Sequence, residues 1–155
     1  MNQPTAQEAF KRLTALCARA EYCEHDLIEK MRRWGVTADD RAAVMARLVA
    51  GRYVDDSRYA AAFVHDKTAY SKWGRRKIEQ ALRMKHIADG IIDEALGSID
   101  TDEQAALLRT LLEQKRRTLK ADTPYLMNMK LMRFAASRGF TMDVIRQCIN
   151  NIDEE

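Results

Sequence analysis

Apolar residues return every three or four positions along almost the whole chain, and alternation of apolar with polar residues never lasts more than a few positions. That period marks helices with one buried face and leaves little room for strands. Thr5 with Glu8 reads as a capping box ahead of Ala9, Leu13, Leu16 and Ala20, with Phe10 and Cys17 alongside. A second helix starts near Glu24, buries Leu27, Ile28, Met31 and Trp34, and stops at Gly35. Thr37 with Asp40 opens a third, which buries Val44, Met45, Leu48 and Val49 and ends at Gly51. The fourth begins at Asp55-Asp56, turns Tyr59, Phe63 and Val64 inward, and runs to about Tyr70. Trp73-Gly74 breaks the chain before a fifth, from about Gly74 to Lys85, with Ile78 and Leu82 inward. A sixth starts near Ala88 and buries Ile91, Ile92, Ala95 and Leu96. Thr101 with Gln104 caps a seventh, buried through Leu107, Leu108, Leu111 and Leu112. Thr123-Pro124 starts an eighth that carries Leu126, Met127, Leu131, Phe134 and Ala135 and stops at Gly139. Thr141 caps a ninth, with Val144, Ile145, Cys148 and Ile149 inward.

Nine helices group as three sets of three, over residues 1–53, 54–99 and 100–155. Leu27, Met31, Gly35 and Val36 correspond to Ile78, Leu82, His86 and Ile87, and again to Leu131, Ala135, Gly139 and Phe140. The pairs Val44/Leu48, Ile92/Leu96 and Ile145/Ile149 repeat a four-residue step. A set of about 50 residues is small for a core of its own. The expected fold is therefore all-α: tandem three-helix repeats packed on their neighbours in an elongated, curved body.

Composition narrows the class. No apolar run approaches the ~20 residues of a membrane helix, and the first residues lack a basic stretch followed by an apolar core. A cytoplasmic monomer is expected. Cys17, Cys23 and Cys148 are an odd number with no tight framework, which fits reduced thiols. No phosphate loop, nucleophile motif or metal-ligand spacing stands out, so neither an enzyme nor a cofactor is expected. Asp55 and Asp56 could in principle hold a metal ion, but adjacent carboxylates at a helix start serve more often as caps. His25, His65 and His86 are scattered.

Charge supplies the best lead. Between Ser71 and Ile87, Lys72, Arg75, Arg76, Lys77, Arg83 and Lys85 face one acid, Glu79, and Trp73 stands among them. That segment carries a net +5, and the remainder of the chain −2 of the overall +3. Arg75, Arg76 and Lys77 open a helix whose dipole they oppose, which suggests an external anion or an acidic partner. Cations with an interleaved aromatic suit phosphates plus base stacking, and equally suit an acidic groove on a protein. Against that stands a solvated face with Trp73 buried. Arg32-Arg33 and the run Lys115-Arg116-Arg117-Lys120 are further basic spots, the second also a plain complement to a helix C-terminus.

The run Tyr53-Val54-Asp55-Asp56-Ser57-Arg58-Tyr59-Ala60, closed by Phe63-Val64 and followed by Gly74 to Ile78 with its Arg-Arg-Lys, resembles the RecX regulators of bacterial recombination. The resemblance implies tandem three-helix units and a non-enzymatic role in DNA repair and the SOS response. It implies binding along the groove of the RecA filament on single-stranded DNA, restraining recombinase, ATPase and co-protease activities. Carried over, the Tyr53–Val64 run holds the first helix of the second repeat, Asp55, Asp56 and Arg58 meet the filament, and Lys72 through Lys77 face filament or DNA. Helical spacing makes Tyr53, Tyr59 and Phe63 core residues first, and Arg58 has Asp55 as a possible ion-pair partner. Lys67 stands where the family often has Arg, and Cys23-Glu24 where it often has a Ser or Thr cap. Two other readings stay open: an autonomous helical DNA-binding module acting without RecA, and a helical scaffold with a merely basic surface.

Overall fold

The computed structural model describes residues 3–149. Among them are nine helices and no strand: α1 Ala6–Cys17, α2 Glu24–Arg33, α3 Ala38–Ala50, α4 Asp56–Ala69, α5 Arg75–Met84, α6 Asp89–Leu96, α7 Thr101–Arg116, α8 Pro124–Ser137 and α9 Met142–Cys148. The acidic tail expected after α9 lies outside the described residues.

Local capping chemistry sets most helix starts. The hydroxyls of Thr5, Thr37, Thr123 and Thr141 accept from the amides of Glu8, Asp40, Leu126 and Val144, and Pro124 takes the first helical position of α8. The start of α7 differs from expectation. Asp100, not Thr101, is its cap, accepting from Asp102 N at 3.0 Å. A carboxylate is the better acceptor for the positive end of the helix. Gln104 is thereby freed from the start of α7 and is buried.

The repeat pattern holds at every aligned core position. Leu27, Met31 and Val36, Ile78, Leu82 and Ile87, and Leu131, Ala135 and Phe140 are all buried, as are the three four-residue pairs. The residue closing each of these helices has left-handed backbone: Gly35 (φ 82°), His86 (φ 58°) and Gly139 (φ 94°). In the outer two, Val36 N reaches Met31 O and Phe140 N reaches Ala135 O, the bond that wraps a helix C-terminus. Gly51 departs from this scheme. Its φ is −84°, and Arg52 carries the positive φ instead.

Two compact units result. One comprises the chain up to Phe63 with Leu82–Ile92; the other comprises Val64–Ala81 with the chain from Asp93. The first is built on Leu13, Leu27, Met31, Val44, Leu48 and Val54. The second is built on Leu108, Leu112, Leu131, Phe140 and Ile145. The helical stripe fails at its edges: Val49 and Leu126 are 46% and 44% exposed, and Tyr53 is 43% exposed. Tyr53 packs edge-on against Phe10 at 5.8 Å. All three thiols are free; Cys23 is fully buried, and burial pushes its pKa up to about 12.

Candidate interaction surface

Asp55 and Asp56 serve two different helices. Asp55 Oδ1 accepts from Ser57 N (2.9 Å) and Arg58 N (3.2 Å), so it caps α4 as expected. Asp56 Oδ1 instead accepts from Glu24 N at 2.9 Å and caps α2 from 32 positions away. This repairs a local defect, because Cys23 makes no side-chain cap bond there. Asp56→Ala should therefore lower stability by about 1 kcal/mol, the usual cost of a lost cap. The thermal midpoint reads this loss, and Asp56→Asn, whose amide oxygen can still accept, should keep most of the parent's stability.

The same clustering of carboxylates has a pH signature. Burial, then the charges of Asp56 and Asp55, push the Glu24 carboxyl pKa up. A raised folded-state value means that ionisation of Glu24 weakens folding. That penalty is full above the raised value and absent below the ordinary carboxylate range. Glu24→Gln should raise the thermal midpoint at about pH 7 and leave it unchanged at about pH 3.

Arg58 does not pair with Asp55. Its Nε meets Glu21 Oε1 at 2.6 Å, and its Nη atoms donate to the carbonyls of Arg52 and Tyr53. The Tyr53–Arg58 run thus anchors the start of α4 inside the first unit.

Lys72, Trp73, Arg75, Arg76 and Lys77 lie in the second unit, Arg83 and Lys85 in the first. The start of α5 offers no open anion site. Arg75 N donates to Gln104 Oε1 (3.2 Å), and Arg76 N to Gly139 O (2.8 Å). The Arg75 guanidinium turns back to Leu96 O at 3.0 Å, capping the C-terminal end of α6. Lys72 Nζ caps α4 through Ala69 O (2.6 Å). Trp73 is half-buried, with Lys67 and Lys77 Nζ at 4.7 and 4.5 Å from its ring centre. Neither the expected external anion nor an open stacking ring is needed to explain this segment. Arg76 is exposed.

In the first unit, Lys85 Nζ meets Asp26 Oδ1 at 2.7 Å, a bond that raises the lysine's pKa. Arg83 meets Asp89 at 2.7 Å, and Arg32 meets Glu29 at 2.8 Å. His25 and His86, far apart in sequence, stack at 4.2 Å, and His25 lines a groove of about 440 Å³ together with Arg33 and Met84.

The second unit brings the basic run at the end of α7 together with cations that sequence reasoning missed. Lys115 Nζ and Arg138 Cζ lie 5.2 and 5.3 Å from the centre of the Phe134 ring. Arg138 also donates to Ser71 O at 3.4 Å, and Gly74 N donates to Arg138 O at 2.7 Å. The end of α7, the end of α8 and the α4–α5 turn therefore meet. Lys130, Arg133 and Arg138 escaped notice because they are spaced along one helix rather than clustered in a run. The legible signal was the count from Lys115 to Arg138: seven cations against one acid, Asp122.

Comparison with known proteins decides the family. Residues 55–96 match the model of the second three-helix domain of RecX, and 102–149 match the third. The regulatory protein RecX of Acinetobacter baylyi is 31% identical over 141 residues, covering 91% of this chain and 86% of that one. The chain belongs to the RecX family. The regulatory protein RecX of Chlorobaculum tepidum is 30% identical, covering 96% and 91%. The crystal structure of RecX from Lactobacillus salivarius has the same fold, with TM-score 0.85 over 97% of both chains at 20% identity. Another RecX crystal structure gives TM-score 0.86 at 22% identity, covering 92% of this chain and 72% of that one. The family-specific run is thus, in this RecX chain, largely a helix-anchoring device. Among the described residues no three His, Cys, Asp or Glu side chains gather as a metal site, and no helix is long and apolar enough to cross a membrane.

Proposed function

We propose that this chain is a cytoplasmic, non-enzymatic regulator of RecA, acting mainly as an inhibitor. It binds as a monomer along the groove of the RecA filament on single-stranded DNA and limits ATPase, strand exchange and co-protease activities. Its body is read as three repeats, over 1–53, 54–99 and 100–155. The observation that carries this reading is membership of the RecX family, whose relatives are named regulatory proteins. The outward cations give such a body a means of holding an anionic filament. Arg76, Arg116 and Arg117 are exposed, whereas Arg75 is committed to a helix end.

The test is binding to immobilised single-stranded DNA, either coated with RecA or bare. At equal salt the chain should bind the coated strand at least tenfold more tightly, about 1.4 kcal/mol. Equal affinity for the two would favour the autonomous DNA-binding module. Binding to neither would remove both readings.

A further inference from the structure

We infer that the second unit holds a binding site for a free α-amino acid with a small apolar side chain, in a cavity that α5, α7 and α9 enclose. The inference goes beyond the filament reading and does not depend on it.

The cavity measures about 270 Å³ and lies wholly within the second unit. Ordinary ligand pockets run from ~300 to 1,000 Å³. This one therefore takes a molecule of amino-acid size and is too small for a nucleotide. Gln104 of α7 forms part of its wall and is 3% exposed. Its Oε1 accepts from Arg75 N at 3.2 Å, which fixes the end of the amide that points at α5. Its Nε2 has no hydrogen-bond partner among the described residues. Proteins seldom leave a buried donor unmatched. A donor on the wall of a cavity fits an acceptor brought in from outside.

Arg75 adds donors at the same wall. A guanidinium carries five N–H groups, and the bond from Nη1 to Leu96 O uses one of them. Arg75 has no ion-pair partner among the described residues. The amides of Arg75 and Arg76 are taken by Gln104 and Gly139, so a ligand here is held by side chains.

The charges decide its class. Asp143 of α9 also lines the cavity, is exposed, and likewise lacks an ion-pair partner among the described residues. One cation and one carboxylate, on different helices, leave the site neutral but polarised. A phosphate or dicarboxylate would be repelled by Asp143, and a simple amine by Arg75. A zwitterion satisfies both: its carboxylate meets Arg75 and Gln104 Nε2, and its ammonium meets Asp143. Ile99 and Val144 supply apolar wall, which a small branched side chain covers and glycine leaves bare.

The experiment is a titration of L-valine into the isotope-labelled full chain, followed by two-dimensional NMR. The side-chain amide pair of Gln104 and the backbone amides of Thr101 and Val144 should move and saturate, with Kd on the order of 1 mM. Isovalerate is valine without its ammonium, and isobutylamine is valine without its carboxylate. Each leaves one charge of the site unmatched and should bind about tenfold more weakly or worse. Asp143→Asn should weaken L-valine about tenfold and leave isovalerate unchanged, a pattern that loss of folding does not produce. An unmoved Gln104 amide pair in a large excess of L-valine would overturn the inference. So would isovalerate or inorganic phosphate binding as tightly as L-valine. Tighter binding of acetyl-glycyl-valine, whose amino group is blocked, would also overturn it and assign the cavity to the carboxyl terminus of another protein.

Discussion

Gly139→Ala should unfold the second unit at a urea concentration where the parent is native. Gly139 has φ 94°, and an added Cβ would fall against Lys77 Cβ and lie 2.5 Å from Lys77 N. On the other side of this crossing, a Cβ on Gly74 would meet the backbone of Gly139 at 2.5 Å. Two backbones touch here, joined by the bonds from Gly74 N to Arg138 O and from Arg76 N to Gly139 O. The left-handed backbone costs an alanine about 1–2 kcal/mol. Forcing the crossing apart costs about 1–3 kcal/mol more. A total of about 2–5 kcal/mol is a large part of the ~5–15 kcal/mol that holds a domain together. Trp73 fluorescence in a Trp34→Phe background reports the second unit, and an unchanged urea midpoint would show that the crossing yields without cost.

Arg75→Glu and Arg76→Glu should fail in different ways although the residues are adjacent. The Arg75 guanidinium is half-buried on Leu96 O. Removing such a charged hydrogen bond costs about 1.5–3 kcal/mol. A glutamate adds repulsion between carboxylate and carbonyl. Arg76 is exposed, and reversing it should change stability by no more than about 0.5 kcal/mol. Arg75→Glu should therefore lower the thermal midpoint, while Arg76→Glu keeps the midpoint and loses filament binding. The opposite assignment would place Arg75 on the contact surface and Arg76 in the scaffold.

Those two arginines show where the sequence is readable. The apolar period locates all nine helices, because burial of one helical face is a local, repeating demand. The three aligned turns carry left-handed backbone at Gly35, His86 and Gly139, although only two of them are glycine. Caps are legible where donor and acceptor are three residues apart, as at Thr5, Thr37, Thr123 and Thr141. They are not legible where the acceptor comes from elsewhere. Asp56 caps α2 across 32 positions, and Gln104 caps α5 across 29. From sequence, Asp56 looks like a second cap of α4 and Gln104 like part of a capping box. The basic segment was visible as a count of charges. Its division into Lys72, Arg75 and Lys77, which make internal contacts, and the outward Arg76 depends on tertiary partners no local pattern records. The cations of α8 were overlooked for the converse reason: they become a surface only when Phe134 and Arg138 join α7 to the α4–α5 turn.

The most direct measurement is ATP hydrolysis by RecA of the same organism on single-stranded DNA, titrated with this chain. Hydrolysis should fall at or below equal concentrations, and Arg76→Glu should blunt the fall while remaining folded. Hydrolysis unchanged at every ratio, with the chain shown to be native, would contradict the account.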